Sequence, residues 1–143
     1  MAREKFKLKI KQSFKAPIKS VFEAWTNPEQ VAKWYGPEGF TNKVHEFDFK
    51  VGGRYRITMT GPKGERHTVV GEFKSIESPR LVAYTWRWEG SPVEPTLVTV
   101  ELEAKEGATE MHFKHSGFAE TADRDNHDKG WLSSFAKLER YLV

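Results

Sequence analysis

The sequence predicts one α+β domain in which a curved, seven-stranded antiparallel sheet wraps around a long C-terminal helix, with two short helices after strand 1. Apolar and polar side chains alternate near the N-terminus and again from residue 41 to 118, as expected of strands with one buried face. Glycine and proline interrupt this second stretch at regular intervals. Apolar residues recur at helical spacing near the C-terminus. At 143 residues, with no repeat or linker, residues 1–143 are expected to form a single domain.

The first predicted element is a strand from about Lys5 to Phe14, in which lysines alternate with apolar residues. Residues 1–20 hold seven lysines and arginines and one glutamate, so this segment accounts for the net charge of +3. We interpret the pattern as a solvated strand face and expect no nucleic-acid partner. Ala16-Pro17 then begins a short helix that ends near Trp25.

Asn27-Pro28 begins a second short helix, because proline is compatible with a first helical position, and Gly36-Pro37 ends it. The turns that follow predict an antiparallel meander. Its six strands are expected at about 41–49, 54–60, 66–77, 80–89, 96–105 and 109–117.

The last predicted element is a long amphipathic helix that carries Trp131, Phe135 and Leu138 on one stripe. A group of acids, Asp123 to Asp128, lies upstream of this stripe, where negative charge favours the N-terminus of a helix. The group superficially resembles a calcium loop. It lacks the sixth-position glycine and the distal glutamate of such loops, so we prefer the helix-dipole interpretation.

Composition excludes several classes of chemistry. The chain has no cysteine, which rules out disulfides, a thiolate nucleophile and cysteine-bound metal. It has no apolar run that could span a membrane, no signal peptide, no serine nucleophile elbow and no phosphate loop, and we expect a cytoplasmic protein without cofactor. Three imidazoles, His45, His67 and His115, could hold zinc if all faced inward, but we favour no metal site.

The inward strand positions are unusually rich in aromatic rings. Tyrosine and tryptophan need polar partners when buried, so several of them around one interior suggest the wall of a cavity. Gly71 is expected to face inward and to leave room. The predicted ligand-binding residues are Trp34, Phe47, Tyr55, Ile57, Met59, His67, Phe73, Tyr84, Trp86, Trp88, Val98, Val100, Met111, Phe113, His115, Trp131, Phe135 and Leu138.

Several motifs resemble the SRPBCC (START-like, helix-grip) superfamily, and within it the Hsp90 ATPase activator-like family. They are Trp34-Tyr35-Gly36-Pro37, Val51-Gly52-Gly53-Arg54-Tyr55, Met59-Thr60-Gly61-Pro62, Arg80-Leu81-Val82, His115-Ser116-Gly117-Phe118, and Gly130-Trp131 at the opening of the last helix. The likeness extends from about Phe6 to Leu142. It implies a helix-grip fold with an internal hydrophobic cavity and a family connection to stress response.

These observations favour a protein that binds a small hydrophobic or amphipathic ligand, as a monomer or homodimer. Two alternatives remain open. The first is a chaperone-associated co-factor that acts through exposed surface, such as the basic first strand or the segment from Trp34 to Phe40. The second is an enzyme that acts on a hydrophobic substrate in the same cavity through His67 or His115, although no buried pair of acid and base is evident.

Overall fold

A computed structural model describes residues 6–142 of the chain. Lys5, the expected start of the first strand, lies outside this range. The elements in chain order are β1 (Phe6–Phe14), α1 (Ile18–Thr26), α2 (Pro28–Trp34), β2 (Thr41–Phe47), β3 (Arg54–Thr60), β4 (Arg66–Glu77), β5 (Leu81–Trp88), β6 (Thr96–Lys105), β7 (Ala108–Phe118) and α3 (Thr121–Leu142). This order confirms the predicted fold class.

All seven strands form one antiparallel sheet in the order β1-β7-β6-β5-β4-β3-β2. The six later strands make a meander, and β1 pairs with β7 at the opposite edge from β2. Register shifts interrupt β2 between Val44 and Glu46, and β4 between Phe73 and Ser75. Such bulges increase local twist, which helps the open sheet to curve around α3.

The break between the two short helices lies at Asn27, as the sequence predicts. Asn27 has an extended backbone, and its side chain accepts a hydrogen bond of 2.9 Å from the backbone N–H of Glu29. Pro28 occupies the start of α2, where a missing N–H costs nothing. The chain therefore turns sharply here, and α1 and α2 together cover one end of the sheet.

The C-terminal helix begins about ten residues earlier than expected. It starts at Thr121, so Asp123, Asp125 and Asp128 belong to its first turns instead of preceding it, and Gly130 lies inside it. The expectation of a helix opening at Gly130-Trp131 was therefore wrong. A glycine among polar residues is typical of a loop. Inside this helix, Gly130 lowers helix stability by about 1 kcal/mol relative to alanine.

The core is filled with aromatic rings at the end of the sheet that α1 and α2 cover. Trp25 lies 4.7 Å from Trp34, 6.0 Å from Phe113 and 5.9 Å from Phe135, measured between ring centroids. Trp34 is fully buried and donates its indole N–H to the carbonyl of Ala24 over 2.8 Å. This end of the sheet and helix interior is therefore closed.

Within residues 6–142, no helix has the length and apolarity needed to cross a membrane.

Candidate functional site

The other end of the interior opens into a cleft of about 440 Å³. Three parts of the chain form its walls: the α2–β2 loop (residues 35–40), strands β3 to β5, and the N-terminal half of α3. The lining residues are Tyr35, Gly36, Pro37, Phe40, Met59, His67, Trp86, Trp88, Asp123, Asn126, His127, Gly130, Trp131 and Ser134. We refer to this space as the cleft.

Five of the predicted ligand-binding residues line the cleft: Met59, His67, Trp86, Trp88 and Trp131. The structure places the other thirteen outside its lining. Twelve of these are buried in the core behind the cleft or beside it: Trp34, Tyr55, Ile57, Phe73, Tyr84, Val98, Val100, Met111, Phe113, His115, Phe135 and Leu138. The last, Phe47, is half-buried and packs on Phe49 and Phe73 near the β2 edge.

Gly71 does not leave the expected room. A Cβ atom at this position would lie 2.0 Å from the carbonyl oxygen of Thr85 and 2.5 Å from Cε2 of Tyr55. The Tyr55 hydroxyl donates to the same Thr85 carbonyl over 2.6 Å. The space that glycine frees is thus filled by the Tyr55 ring, and none is left for a ligand.

The tryptophans of the cleft wall are in contact with one another. The ring centroids of Trp86 and Trp88 are 5.5 Å apart with their planes at 73°, and those of Trp86 and Trp131 are 5.1 Å apart. Tyr35 adds a ring 6.3 Å from Trp86. His67, on the neighbouring strand, lies 5.9 Å from Trp88. The wall is therefore a continuous aromatic surface drawn from β4, β5, α3 and the α2–β2 loop.

Two histidines accept the indole N–H groups of this wall. Trp131 donates to Nδ1 of His115 over 3.0 Å, and Nε2 of His115 lies 2.7 Å from the hydroxyl of Thr96. Because Nδ1 accepts, Nε2 carries the proton and donates to Thr96. The Thr96 hydroxyl donates in turn to the carbonyl of Trp86 over 3.0 Å. Burial lowers the pKa of His115 well below its ordinary value, which agrees with a neutral ring.

His127 has the opposite tautomer. Its Nδ1 lies 2.8 Å from the carbonyl of Asp123, which only accepts, so Nδ1 carries the proton. Its Nε2 then accepts the indole N–H of Trp86 over 3.3 Å. Burial lowers the pKa of His127 as well. Both imidazoles therefore serve as acceptors that orient tryptophans of the cleft.

The three histidines considered for zinc are not brought together. His45 is exposed on the edge strand, where its Nε2 bonds the hydroxyl of Thr58 over 2.8 Å. His67 lies at the cleft mouth and His115 is fully buried. A different group, Glu103, Glu110 and His112, lies on the outer sheet face, where Lys11 and Lys105 already pair with its carboxylates.

Buried tyrosine hydroxyls join the α2–β2 loop to the sheet. The hydroxyl groups of Tyr35 and Tyr84 form a short hydrogen bond at the inner end of the cleft wall. Burial raises the pKa of both phenols above the ordinary range, so both remain protonated. The bond anchors Tyr35, the first residue of the loop, against β5.

Lys137 of α3 holds the same loop from the other side. Its ammonium nitrogen lies 3.1 Å from the carbonyl oxygen of Tyr35, 3.2 Å from that of Gly36, and 3.3 Å from those of Pro37 and Phe40. Burial lowers the pKa of Lys137. Charged donors make strong hydrogen bonds, so this one side chain organises four carbonyls of the cleft wall.

Two further contacts attach the tip of the loop. Arg140 donates to both carboxylate oxygens of Glu38 at 2.8 Å, and the backbone N–H of Glu38 donates to the hydroxyl of Ser133 over 2.8 Å. The α2–β2 loop is therefore docked along the outer side of α3. The segment from Trp34 to Phe40, proposed above as exposed interaction surface, is exposed only at its tip: Trp34, Tyr35 and Gly36 are buried, and Glu38 and Gly39 are exposed.

Apart from Trp131, sequence reasoning missed the contribution of the first half of α3. Asp123, Asn126, His127, Gly130 and Ser134 line the cleft together with Trp131. Their spacing of three and four residues is that of one helix face, a signal that was present in the sequence. This spacing was not recognised because the helix was expected to begin at Gly130-Trp131, and it begins at Thr121.

The comparisons with known proteins agree on the fold. The model of the family "Activator of Hsp90 ATPase homolog 1-like protein" matches residues 15–143. A Chromobacterium violaceum protein of solved structure is 25% identical, with a TM-score of 0.89 over 95% of this chain and 96% of that one. An Arthrobacter aurescens protein is 26% identical, with a TM-score of 0.87 over 95% and 85%.

The AHSA1 protein of Silicibacter pomeroyi is 24% identical, with a TM-score of 0.86 over 96% of this chain and 97% of that one. At this identity the likeness shows the fold alone. No curated protein matches the chain.

Proposed function

Since the chain belongs to the family of Activator of Hsp90 ATPase homolog 1-like proteins, we propose that it works through its cleft, by binding a small hydrophobic or amphipathic molecule. The observation that supports this is the continuous aromatic wall of Trp86, Trp88 and Trp131 beside an open space of about 440 Å³. Small-molecule sites are typically apolar spaces of this size with a few polar groups.

The polar edges of the wall also support this function. Trp86 and Trp131 direct their N–H groups to His127 and His115, and Tyr35 directs its hydroxyl to Tyr84. A bound molecule therefore contacts aromatic rings whose N–H and hydroxyl groups already have hydrogen-bond partners. Removing such surface from water stabilises a complex by about 25 cal/mol per Å² of apolar area.

The test is native mass spectrometry of the freshly purified protein, followed by calorimetric titration with naphthol as an apolar aromatic probe. We compare Trp88→Ala, which truncates a half-buried ring of the wall, with Tyr141→Ala, which truncates an exposed ring at the end of α3. Loss of the Trp88 ring should weaken naphthol binding by about tenfold or more. Equal effects of the two variants, or no binding to the wild-type protein, would contradict the proposal.

The chaperone-associated role remains the second candidate, because the family description names a chaperone activator. It predicts a complex with an Hsp90-type chaperone in a pull-down at low salt that weakens as salt screens the lysines of β1. Such a complex, unaffected by Trp88→Ala and without naphthol binding, would favour this role over the cleft.

A further inference from the structure

The charges and donors around the cleft define a class of occupant, and this inference rests on the function proposed above. We propose that the cleft selects a molecule that joins an apolar body to a cationic nitrogen, with the cation held between the tryptophan faces and the carboxylate of Asp123. The argument depends on three features of the lining: its charge, its free hydrogen-bonding groups, and its ring faces.

The first feature is charge. The chain has 23 lysines and arginines and a net charge of +3, yet none of those between residues 6 and 142 lines the cleft. Asp123 is the one carboxylate among the lining residues that the structure describes. It is exposed at the mouth, and within residues 6–142 its carboxylate forms no ion pair with a lysine or arginine. The cleft is therefore a negative site on a positive protein.

The second feature is the small number of free donors on the inner wall. The side chains of Asn126 and His67 also line the cleft, but both residues are exposed at its mouth. The N–H groups of Trp86 and Trp131 are taken by histidines, and the hydroxyl of Ser134 donates to the carbonyl of Gly130 over 2.9 Å. Lys137 donates away from the cleft space, to the backbone of the α2–β2 loop. An anionic group would meet Asp123 without a compensating cation, and burying an unpaired charge is costly.

The third feature is the ring faces. Trp86 and Trp131 are 6% and 4% exposed and their N–H edges bond imidazoles, so the half-buried ring of Trp88 presents the most accessible face of the wall to an occupant. Tryptophan has the strongest negative face of the aromatic side chains and attracts cations within about 6 Å of the ring centre. The planes of Trp86 and Trp88 meet at 73°, so the two rings border the cleft in different orientations.

The N-terminus of α3 acts against this charge preference, because a helix N-terminus attracts anions. Asp123 lies in the first turn of that helix and offsets this field at the point nearest the cleft. A carboxylate in the first turn also stabilises the helix itself. The experiment therefore has to separate the effect of Asp123 on helix stability from its effect on recognition of a cation.

The experiment uses three probes that share a naphthalene body and differ in one group. They are naphthylmethyl-trimethylammonium, its uncharged isostere neopentylnaphthalene, and naphthylacetate. Binding of each to the full chain is measured by NMR titration, at low and moderate salt. The variants are Asp123→Asn and, as a matched control, Asp125→Asn, which removes the same charge from the same turns of α3 but from a residue outside the lining that pairs with Arg124.

We expect the ammonium probe to bind at least about fivefold tighter than the isostere, because cation–π and charge attraction both add to burial. Asp123→Asn should reduce this ratio, whereas Asp125→Asn should leave it unchanged. Salt should weaken binding of the ammonium probe more than binding of the isostere.

Tighter binding of the isostere or of naphthylacetate would overturn the inference while leaving the proposed function intact. A preference for the ammonium probe that Asp123→Asn does not reduce would also overturn it. If none of the three probes binds, both the inference and the proposed function fail.

Discussion

The indole N–H of Trp131 donates to Nδ1 of His115 across 3.0 Å, which joins a residue of the cleft wall to a fully buried imidazole of β7. A protonated imidazole has no acceptor atom, so charging His115 would break this bond. The same holds for His127 and its bond from Trp86. The orientation of two wall tryptophans therefore depends on two neutral histidines, whose ring centroids lie 5.2 Å apart.

This arrangement predicts that the protein loses stability as pH falls below about 6.5. Folding lowers the pKa of His115 and His127 below the ordinary value of 6.5, so the unfolded chain takes up protons first and is favoured. Each group contributes a slope of at most about 1.4 kcal/mol per pH unit in the free energy of unfolding, between pH 6.5 and its folded pKa. Urea denaturation at about pH 7.5 and about pH 5.5 measures this slope.

The control for this prediction compares two variants. His115→Gln should reduce the pH slope by one proton even if it lowers stability at every pH, whereas Ser75→Ala, which removes no titratable group from an exposed position, should leave the slope unchanged. A free energy of unfolding that stays flat over the range would show that the imidazoles are not held neutral.

Replacing Lys137 with methionine should loosen the α2–β2 loop. The substitution keeps an apolar stem of similar length but removes the ammonium group, whose three N–H donors lie within reach of four loop carbonyls. We expect the free energy of unfolding to fall by about 1–3 kcal/mol. Naphthol binding should weaken too, because the loop forms one wall of the cleft. Lys129→Met, an exposed lysine on the same helix, is the control, and similar losses in both variants would refute the role of Lys137.

Replacing Gly130 with alanine should increase stability and reduce binding. A Cβ at Gly130 would meet only Cγ of Pro37, at an ordinary contact distance of 3.9 Å. Alanine is favoured over glycine inside a helix by about 0.8–1 kcal/mol, so Tm should rise. The new methyl group lies on the cleft wall and should lower naphthol affinity. A rise in Tm without any loss of affinity would mean that an occupant does not reach this part of α3.

Replacing Gly71 with alanine should have the opposite effect on stability. The added Cβ would lie 2.0 Å from the Thr85 carbonyl, which is backbone of the neighbouring strand and cannot move independently. We expect a loss of at least about 2 kcal/mol in the free energy of unfolding. Ser75→Ala, an exposed position on the same strand, should change stability by less than about 0.5 kcal/mol. Comparable losses in both would indicate that β4 and β5 adjust easily.

The strands were predictable because their bounds follow from short-range chemistry. The strands predicted at 54–60, 66–77 and 96–105 have the same bounds in the structure. Turn residues lie at both ends of each strand, and the alternation of apolar and polar residues indicates which face is buried. The helix break at Asn27-Pro28 was predictable for the same reason: its signal is contained in two adjacent residues.

The cleft was harder to predict because its walls are joined by contacts between distant residues. Lys137 bonds the carbonyls of a loop about 100 positions away, and nothing in the local sequence marks it as more than a solvated lysine. His127 was overlooked because it lies among the acids that were expected to precede the helix, whereas the helix begins at Thr121. The alternation of side chains along each strand indicates which rings face inward. It does not indicate that Trp25 and Trp34 close one end of the interior while Trp86 and Trp88 border open space, because that depends on tertiary packing.

The unequal placement of the five tryptophans has a practical consequence. Trp86, Trp88 and Trp131 border the cleft, whereas Trp25 and Trp34 lie in the closed core. Indole emission responds to the polarity around the ring, so the unlabelled protein contains three optical reporters of occupancy and two that give a constant background. Filling the cleft should shift the fluorescence spectrum in proportion to the bound fraction, and a library of compounds could be screened by light alone.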